Sequence, residues 1–360
     1  MSVGVASKAA TRPVYGRLEF LRRRPLVLVV IGLVSLACAV VAGIVFGNVA
    51  IPVGETLAIL AHRVLGWPVP ITWAPPAETI VMELRLPRVL TAGATGVALS
   101  LAGATFQGLL RNPLADPYVL GTASGAALGA AVGMLLPVQL AILGFGLMHL
   151  LAFCGALAAV SVVYRLSRMG GTNSMTSVLL TGYAVGALLA AGLALTMYLA
   201  GNNLRQIFFY LLGSFSLSSW PQLVVGLPLI GLGSAAILVR ARVLNGLLLG
   251  EETAAHLGLD VPRQRLILLG AATLVTAVAV AMSGLIGFVG LVVPHLLRLV
   301  VGPNARVLLP LAALFGASLM VFADVAARIP GELPVGIVTA VVGAPFFLHL
   351  LRRYRGGYEL

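Results

Sequence analysis

The sequence predicts an all-α polytopic membrane protein with ten transmembrane helices, and three observations carry that expectation. Sixty per cent of the residues are hydrophobic and only nine per cent are charged. The apolar residues fall in runs of about 20, the length a helix needs to cross a hydrocarbon layer. The charges punctuate those runs and form no face or tract, so the net charge of +12 suits loops that orient a membrane chain and argues against nucleic acid as a partner. The 42 glycines and 20 prolines would mark disorder in a polar chain; in an apolar one they mark closely packed and locally broken helices.

Residues 1–25 read as a basic cytoplasmic tail with Lys8, Arg12, Arg17 and Arg22 to Arg24. Crossing 1 covers 26–46. It resembles the apolar core of a signal sequence but is too long for one, so an uncleaved first crossing is expected. The more polar stretch 47–88 has six prolines and one short amphipathic helix over 51–65. Crossing 2 spans 89–110, a polar break (RNPLADP) occupies 111–117, and crossing 3 spans 118–136. Crossing 3 carries glycine at 121, 125, 129 and 133, one face by the i,i+4 rule, and Gly182 with Gly186 repeats the pattern on crossing 5. Both faces suit helix packing.

Crossing 4 covers 139–164 and ends at Arg165 and Arg168; crossing 5 covers 176–200. The segment 202–220 is too short to cross and suits a surface helix anchored by Phe208, Phe209, Tyr210 and Trp220. Crossing 6 is 221–239. A long polar segment, 240–265, holds a helical patch, GEETAAHLGL, at 250–259. Crossing 7 is 266–282, the glycine-rich 283–290 opens crossing 8, and crossings 9 and 10 occupy 307–327 and 335–351. A ten-helix domain over 26–351 thus lies between two cytoplasmic tails, the second being 352–360. Five of the 23 basic residues (Arg63, Arg85, Arg88, Arg205 and Arg328) then lie outside and the other eighteen inside. That asymmetry places both termini in the cytoplasm.

The chemistry is mostly one of absence. Lys8 is the only lysine, so the P-loop pattern GxxxxGK[ST] does not occur, and the chain is not expected to hydrolyse ATP or to be an enzyme. His62, His149, His256, His295 and His349 are scattered, which gives no metal site; His149 beside Met148 reads as a packed, neutral histidine. Cys38 and Cys154 sit inside apolar runs as packing residues. The one intramembrane carboxylate, Asp324, lies four residues before Arg328, so a local ion pair accounts for it without a proton relay. An ion-coupled secondary transporter would need more such groups. Gln107 reads as interhelical glue beside the path.

Two polar features call for partners. Glu251 and Glu252 open the 250–259 patch, where a helix N-terminus favours negative charge, and the patch suits a docking knob. Arg85, Arg88 and Arg328 would form an exposed basic cluster fit for carboxylates of a partner.

The motifs ELRLPRVL (83–90), GATFQGLLRNPLADPYVLGTASGAALG (103–129), FYLLGSFSLSSW (209–220), GEETAAHLGL (250–259), GLIGFVGLVVPHLLRLVVG (284–302) and DVAARIPGELPVGIVTAVVGAPFFLHLL (324–351) follow one another along the chain. In that order they resemble the permease subunits of type II ABC importers for ferric siderophores, haem or cobalamin. The resemblance implies a homodimer with its path on the two-fold axis. Two ATP-binding subunits on the cytoplasmic side would hold ATP and Mg, and one periplasmic or extracellular solute-binding protein would sit outside. It implies that Arg85, Arg88 and Arg328 dock that binding protein. It further implies that Gly250, Glu251, Glu252, Ala255, His256, Leu257 and Gly258 couple to the ATPase. Asn112, Leu114, Met175 and Thr176 would form the cytoplasmic gate, and Gln107, Ser174, Tyr183 and Met197 would lie along the path. Met175 departs from the small hydroxyl residue usual in that family. No cofactor or metal is implied for this chain.

Overall fold

The computed structural model describes residues 24–138, 140–142, 145–169, 175–329 and 331–354. Most of the N-terminal tail, Ser174 and the last six residues therefore lie outside the described residues.

Helix α1 (Pro25–Val45) opens on a proline, whose fixed φ suits a first turn. The short amphipathic helix expected over 51–65 is α2 (Val53–Arg63). Helix α3 (Pro75–Leu109) runs for 35 residues, so the expected crossing at 89–110 is the later part of a longer helix. The Pro75–Pro76 pair initiates it and does not break it, since a first turn has no N–H bond to lose. Within α3, Ile80–Arg85 is π-helical, and this wider turn lies directly ahead of Pro87, whose ring crowds an ordinary α turn.

Helix α4 (Thr122–Leu135) follows Gly121 in a left-handed conformation (φ 77°). A two-residue hairpin, β1 (Ala141–Ile142) with β2 (Phe145–Gly146), leads to α5 (Leu147–Met169) and then α6 (Met175–Leu199). The aromatic surface segment forms α7 (Leu204–Leu211) before α8 (Trp220–Val239). The long polar segment folds into α9 (Ala241–Leu248) and α10 (Glu251–His256). Helix α11 (Val261–Ser283) is capped by Asp260, which accepts from the Arg263 N–H at 3.2 Å. It is followed by α12 (Val289–Val301), α13 (Ala305–Arg328), capped by Asn304, and α14 (Val335–Tyr354).

Among the described residues seven helices are long and apolar enough to cross a membrane: α1, α3, α5, α6, α8, α11 and α13. Three shorter apolar helices, α4, α12 and the 335–349 part of α14, stand where the other expected crossings lie. Helix α4 has 14 residues and α12 has 13. At 1.5 Å per residue each is about 20 Å long, less than a bilayer core. Both are shortened by irregular chain at one end. The turn before α4 takes up 110–121, and residues 284–288 pass through Gly284 (φ 71°) and Phe288 (φ 69°) before α12 begins.

Small side chains decide which helix lies at the centre. From Thr91 to Gly108, α3 reads TAGATGVALSLAGATFQG, and 83 % of its apolar window is buried. Gly96 meets the Gly316 backbone of α13, and Gly103 meets the Gly290 backbone of α12; a Cβ at either glycine would collide with a carbonyl. Helices α8 and α11 pack on the remaining sides of α3, and α1 lies outside α13. The hydroxyls of Thr91 and Thr105 return to the Pro87 and Leu101 carbonyls at 2.8 and 2.7 Å, so they cost little in the core.

A second layer forms from α4, α5 and α6. Gly125, Gly129 and Gly133 press on Gly155, Leu151 and Met148, so the glycine face of the third crossing has α5 as its partner. Gly182 and Gly186 of α6 meet the chain just before α4, around Val119 to Gly121. Cys38 and Cys154, expected as packing residues, are exposed on the outer faces of α1 and α5.

Candidate functional site

Polar residues gather at the two opposite ends of the bundle. At the first end Arg85 donates from Nη1 to the Ile44 and Val45 carbonyls, both at 2.8 Å, and from Nη2 to Val49. Its guanidinium therefore closes the C-terminus of α1. Gly47 leaves room for it: a Cβ there would lie 2.9 Å from Arg85 Nη2. Arg328 donates to the Gly43 and Phe46 carbonyls at 2.7 and 3.2 Å and to Asp324 at 3.0 Å, so the i,i+4 pair expected within α13 is present. Asp324 also takes Arg88 from α3, Nε to Oδ1 at 3.0 Å. Arg88 reaches on to Glu332 at 2.8 Å.

The expectation of an exposed basic cluster is corrected at this point. Arg85 is 5 % exposed and Arg328 is 4 % exposed, because the α1 carbonyls and Asp324 engage them within the chain. Arg88 remains the most accessible of the three, at the rim of a cavity of about 580 Å³. That cavity is also lined by His149, Tyr210, Ser214, Ser216 and Ser218. His149 lies 3.2 Å from Gln222 and edge-on to Phe145, which is the packed arrangement expected for it. Among the described residues no group of three or more His, Cys, Asp or Glu is placed to hold a metal ion.

The second end holds the turn between α3 and α4. Asn112 Oδ1 accepts the Leu114 N–H at 2.9 Å and Asp116 Oδ1 accepts the Tyr118 N–H at 2.8 Å, two side-chain turns in succession. Asn112 is exposed and Leu114 half-buried. Burial pushes the Asp116 carboxyl up to about 6, against the Tyr118 N–H, which acts to lower it. Arg111, in the left-handed region at φ 49°, donates to the Leu247 carbonyl at 3.1 Å and so ties the turn to α9. Gln107 is buried, gives a hydrogen bond to the Leu291 carbonyl at 3.1 Å and accepts one from Arg298 at 2.8 Å. Its geometry is that of glue between α3 and α12.

Helix α10 stands out from this end. Ala254 is its buried anchor, whereas Glu251, Glu252, Ala255, His256, Leu257 and Gly258 are exposed. Gly250 (φ 117°) and Gly258 (φ 81°) supply the backbone conformations that start and stop it. Glu251 pairs directly with Arg265, and both line a cavity of about 320 Å³. The gate positions Met175 and Thr176 begin α6, but their side chains lie outside the described residues, as does Ser174. Tyr183 is 80 % exposed on α6, whereas Met197 packs beside Ala131 and Ile207. Sequence reasoning missed the Arg88–Asp324–Glu332 linkage. The available signal was Asp324, a carboxylate inside the outer end of one crossing, which needs more than a single local cation when a second arginine, Arg88, sits at the outer end of another.

A model described as the FecCD transport family matches residues 33–353. The chain belongs to the FecCD transport family. Among its relatives is the cobalamin import system permease BtuC of Halobacterium salinarum, 43 % identical over 321 residues, 85 % of this chain and 86 % of that one. The hemin transport system permease HmuU of Yersinia pestis is 43 % identical over 281 residues, 77 % of this chain and 84 % of that one. The ABC transporter permease YvrB of Bacillus subtilis, itself uncharacterized, is 42 % identical over 336 residues, 92 % and 95 % of the two chains. A solved structure described as an inward-facing conformation of a metal-chelate type ABC transporter superposes with a TM-score of 0.71 at 33 % identity, covering 83 % of this chain and 98 % of that one. The chain is thus a multi-pass permease of the type II ABC importers, in which ATP hydrolysis falls to a separate subunit.

Proposed function

We propose that this chain is the permease subunit of an ATP-driven importer that moves a metal chelate, a ferric siderophore or haem, across the inner membrane. The observation that supports this most is the FecCD match over residues 33–353, joined to a bundle with separate polar features at its two ends. Two copies would pair across α6, whose apolar window is only 6 % buried. The path would run along that axis, beside Tyr183 and the α6 start at Met175 and Thr176, and would close at Asn112 and Leu114. Two ATP-binding subunits would take α10 on the cytoplasmic side, which also holds both termini, and would supply the ATP and Mg chemistry. A periplasmic or extracellular binding protein would dock at the opposite end, chiefly through Arg88.

Cobalamin is the second reading, favoured by the 43 % identity to the cobalamin permease. The test is uptake by proteoliposomes that contain the permease with its ATPase and binding protein, offered an iron-labelled siderophore, haem or cobalamin. Transport of the siderophore or haem alone supports the proposal, and transport of cobalamin alone replaces it with the second reading. Uptake abolished by an uncoupler while ATP stays high would overturn both in favour of ion coupling.

A further inference from the structure

Glu332 is a partly exposed carboxylate paired with Arg88. It lies between α13 and α14, next to Gly331 (φ 106°), and is itself in the left-handed region at φ 62°. A glutamate rarely adopts that conformation without a stabilising contact. Two contacts are present: its Oε2 accepts from Arg88 Nη1 at 2.8 Å, and its Oε1 accepts from Asn48 Nδ2 at 3.1 Å. The carboxylate therefore bridges the chain after α1 to α3 while its own backbone leads into α14. Its side chain is 36 % exposed, whereas that of Asp324, the other carboxylate on Arg88, is 1 % exposed.

Charge sharpens the point. Three guanidiniums (Arg85, Arg88 and Arg328) meet two carboxylates, and Asp324 is shared between Arg88 and Arg328. All three arginines line the cavity, and Glu332 provides the more exposed of the two carboxylates on Arg88, the most accessible of them.

We infer that Glu332 acts as an internal stand-in for a partner's carboxylate, holding Arg88 until an acidic side chain of the binding protein displaces it. This rests on the docking reading given above. Docking then exchanges one ion pair for another, so the net gain per contact is small and the complex can release after each cycle. Glu332 thus sets how strongly an acidic partner is preferred.

Two measurements on the permease–ATPase complex in nanodiscs separate the ideas. The first is the rate at which the arginine reagent p-hydroxyphenylglyoxal modifies Arg88, read by peptide mass spectrometry. The second is the affinity of the cognate binding protein in low salt. E332Q should speed modification of Arg88 and tighten docking about five-fold, the worth of one exposed pair. E332D should restore the slow labelling in part, and R88A should weaken docking. Unchanged labelling in E332Q would overturn the stand-in role, as would weaker docking in E332Q while R88A also weakens it. Faster labelling with docking unaffected by both E332Q and R88A would leave Glu332 holding Arg88 but remove the docking reading.

Discussion

Helices α3 and α6 are both strongly apolar, yet 83 % of the apolar window of one is buried and only 6 % of the other's. The difference comes from the size of side chains and the position of glycine. On α3, glycines 96 and 103 admit the backbones of α13 and α12, and from Thr91 to Leu109 the helix is packed among α8, α11, α12 and α13. On α6, Gly182 and Gly186 make one seam against the chain before α4, while Leu180, Tyr183, Leu188 and Tyr198 project outward. A hydrophobic helix is therefore a core element only where neighbours can come close. Where they cannot, it is a surface left for lipid or for a second copy.

The sharpest way to break this comparison is to add a side chain to each helix. Gly103→Val should abolish folded, monodisperse protein, because a Cβ there collides with the Gly290 carbonyl of α12. Gly186→Ala should change stability by less than about 0.5 kcal/mol, since the nearest atom to a Cβ there is 3.8 Å away. Size-exclusion profiles and thermal melts in detergent report both; equal tolerance at the two sites would remove the distinction.

The next largest effect should come from Asp324, which lies against Arg88 of the central helix. Asp324→Ala leaves Arg88 and Arg328 facing each other without their shared carboxylate and should cost about 3–5 kcal/mol. A melt within 1 °C of the parent, under about 1 kcal/mol for a chain of this length, would show that solvent reaches the cluster freely.

On the outer helix the effect should be on association and not on folding. Single cysteines at Leu180 and Leu188, each 67 % or more exposed, should cross-link two copies of the chain in the membrane. A cysteine at Leu101, fully buried in α3, should not cross-link. Cross-linking at neither α6 position would mean that α6 faces lipid alone.

The smallest effect concerns the turn that links the two helical layers. The Asp116 carboxyl titrates near 6, above the ~3.9 of an unfolded aspartate, so its charged form is disfavoured in the fold. Stability from this group is therefore greatest below the unfolded value and declines as pH rises toward about 6. The parent melt should fall by a few degrees between pH 4 and pH 7 relative to Asp116→Asn. Parallel pH profiles for the two proteins would contradict this.

Much of this was legible in the chain because the bilayer imposes a length. The apolar runs place α1, α6, α8 and α13 within a few residues, whereas α5 starts eight residues later than expected because the hairpin at 141–146 precedes it, and the spacing of glycines in 121–133 marks a packing face. The partner of that face, α5, is supplied by a backbone approach at Gly155 that no spacing reveals. The arginines show the limit most clearly. Their positions near helix ends were readable, but the acceptors of Arg85 are carbonyls 36 to 41 residues away, and a carbonyl leaves no mark in a sequence. The start of α3 was misread for a related reason. Pro75, Pro76 and Pro87 look like interruptions until the π-helical stretch shows how the helix continues through them.

That stretch, Ile80–Arg85, has an implication for how such chains diverge. Bonds from i to i+5 accommodate a residue more per turn than bonds from i to i+4. One amino acid is thus absorbed inside a helix and not in a loop. A related chain shorter by a single residue here can keep the same length of helix by reverting to the tighter winding. Six residues wound the wide way turn the helix about as far as five wound the tight way, so everything upstream keeps nearly the same face toward the core. An insertion or deletion of one codon would in that way be taken up inside the helix, leaving both the bundle and the stretch that starts at Pro75 in place.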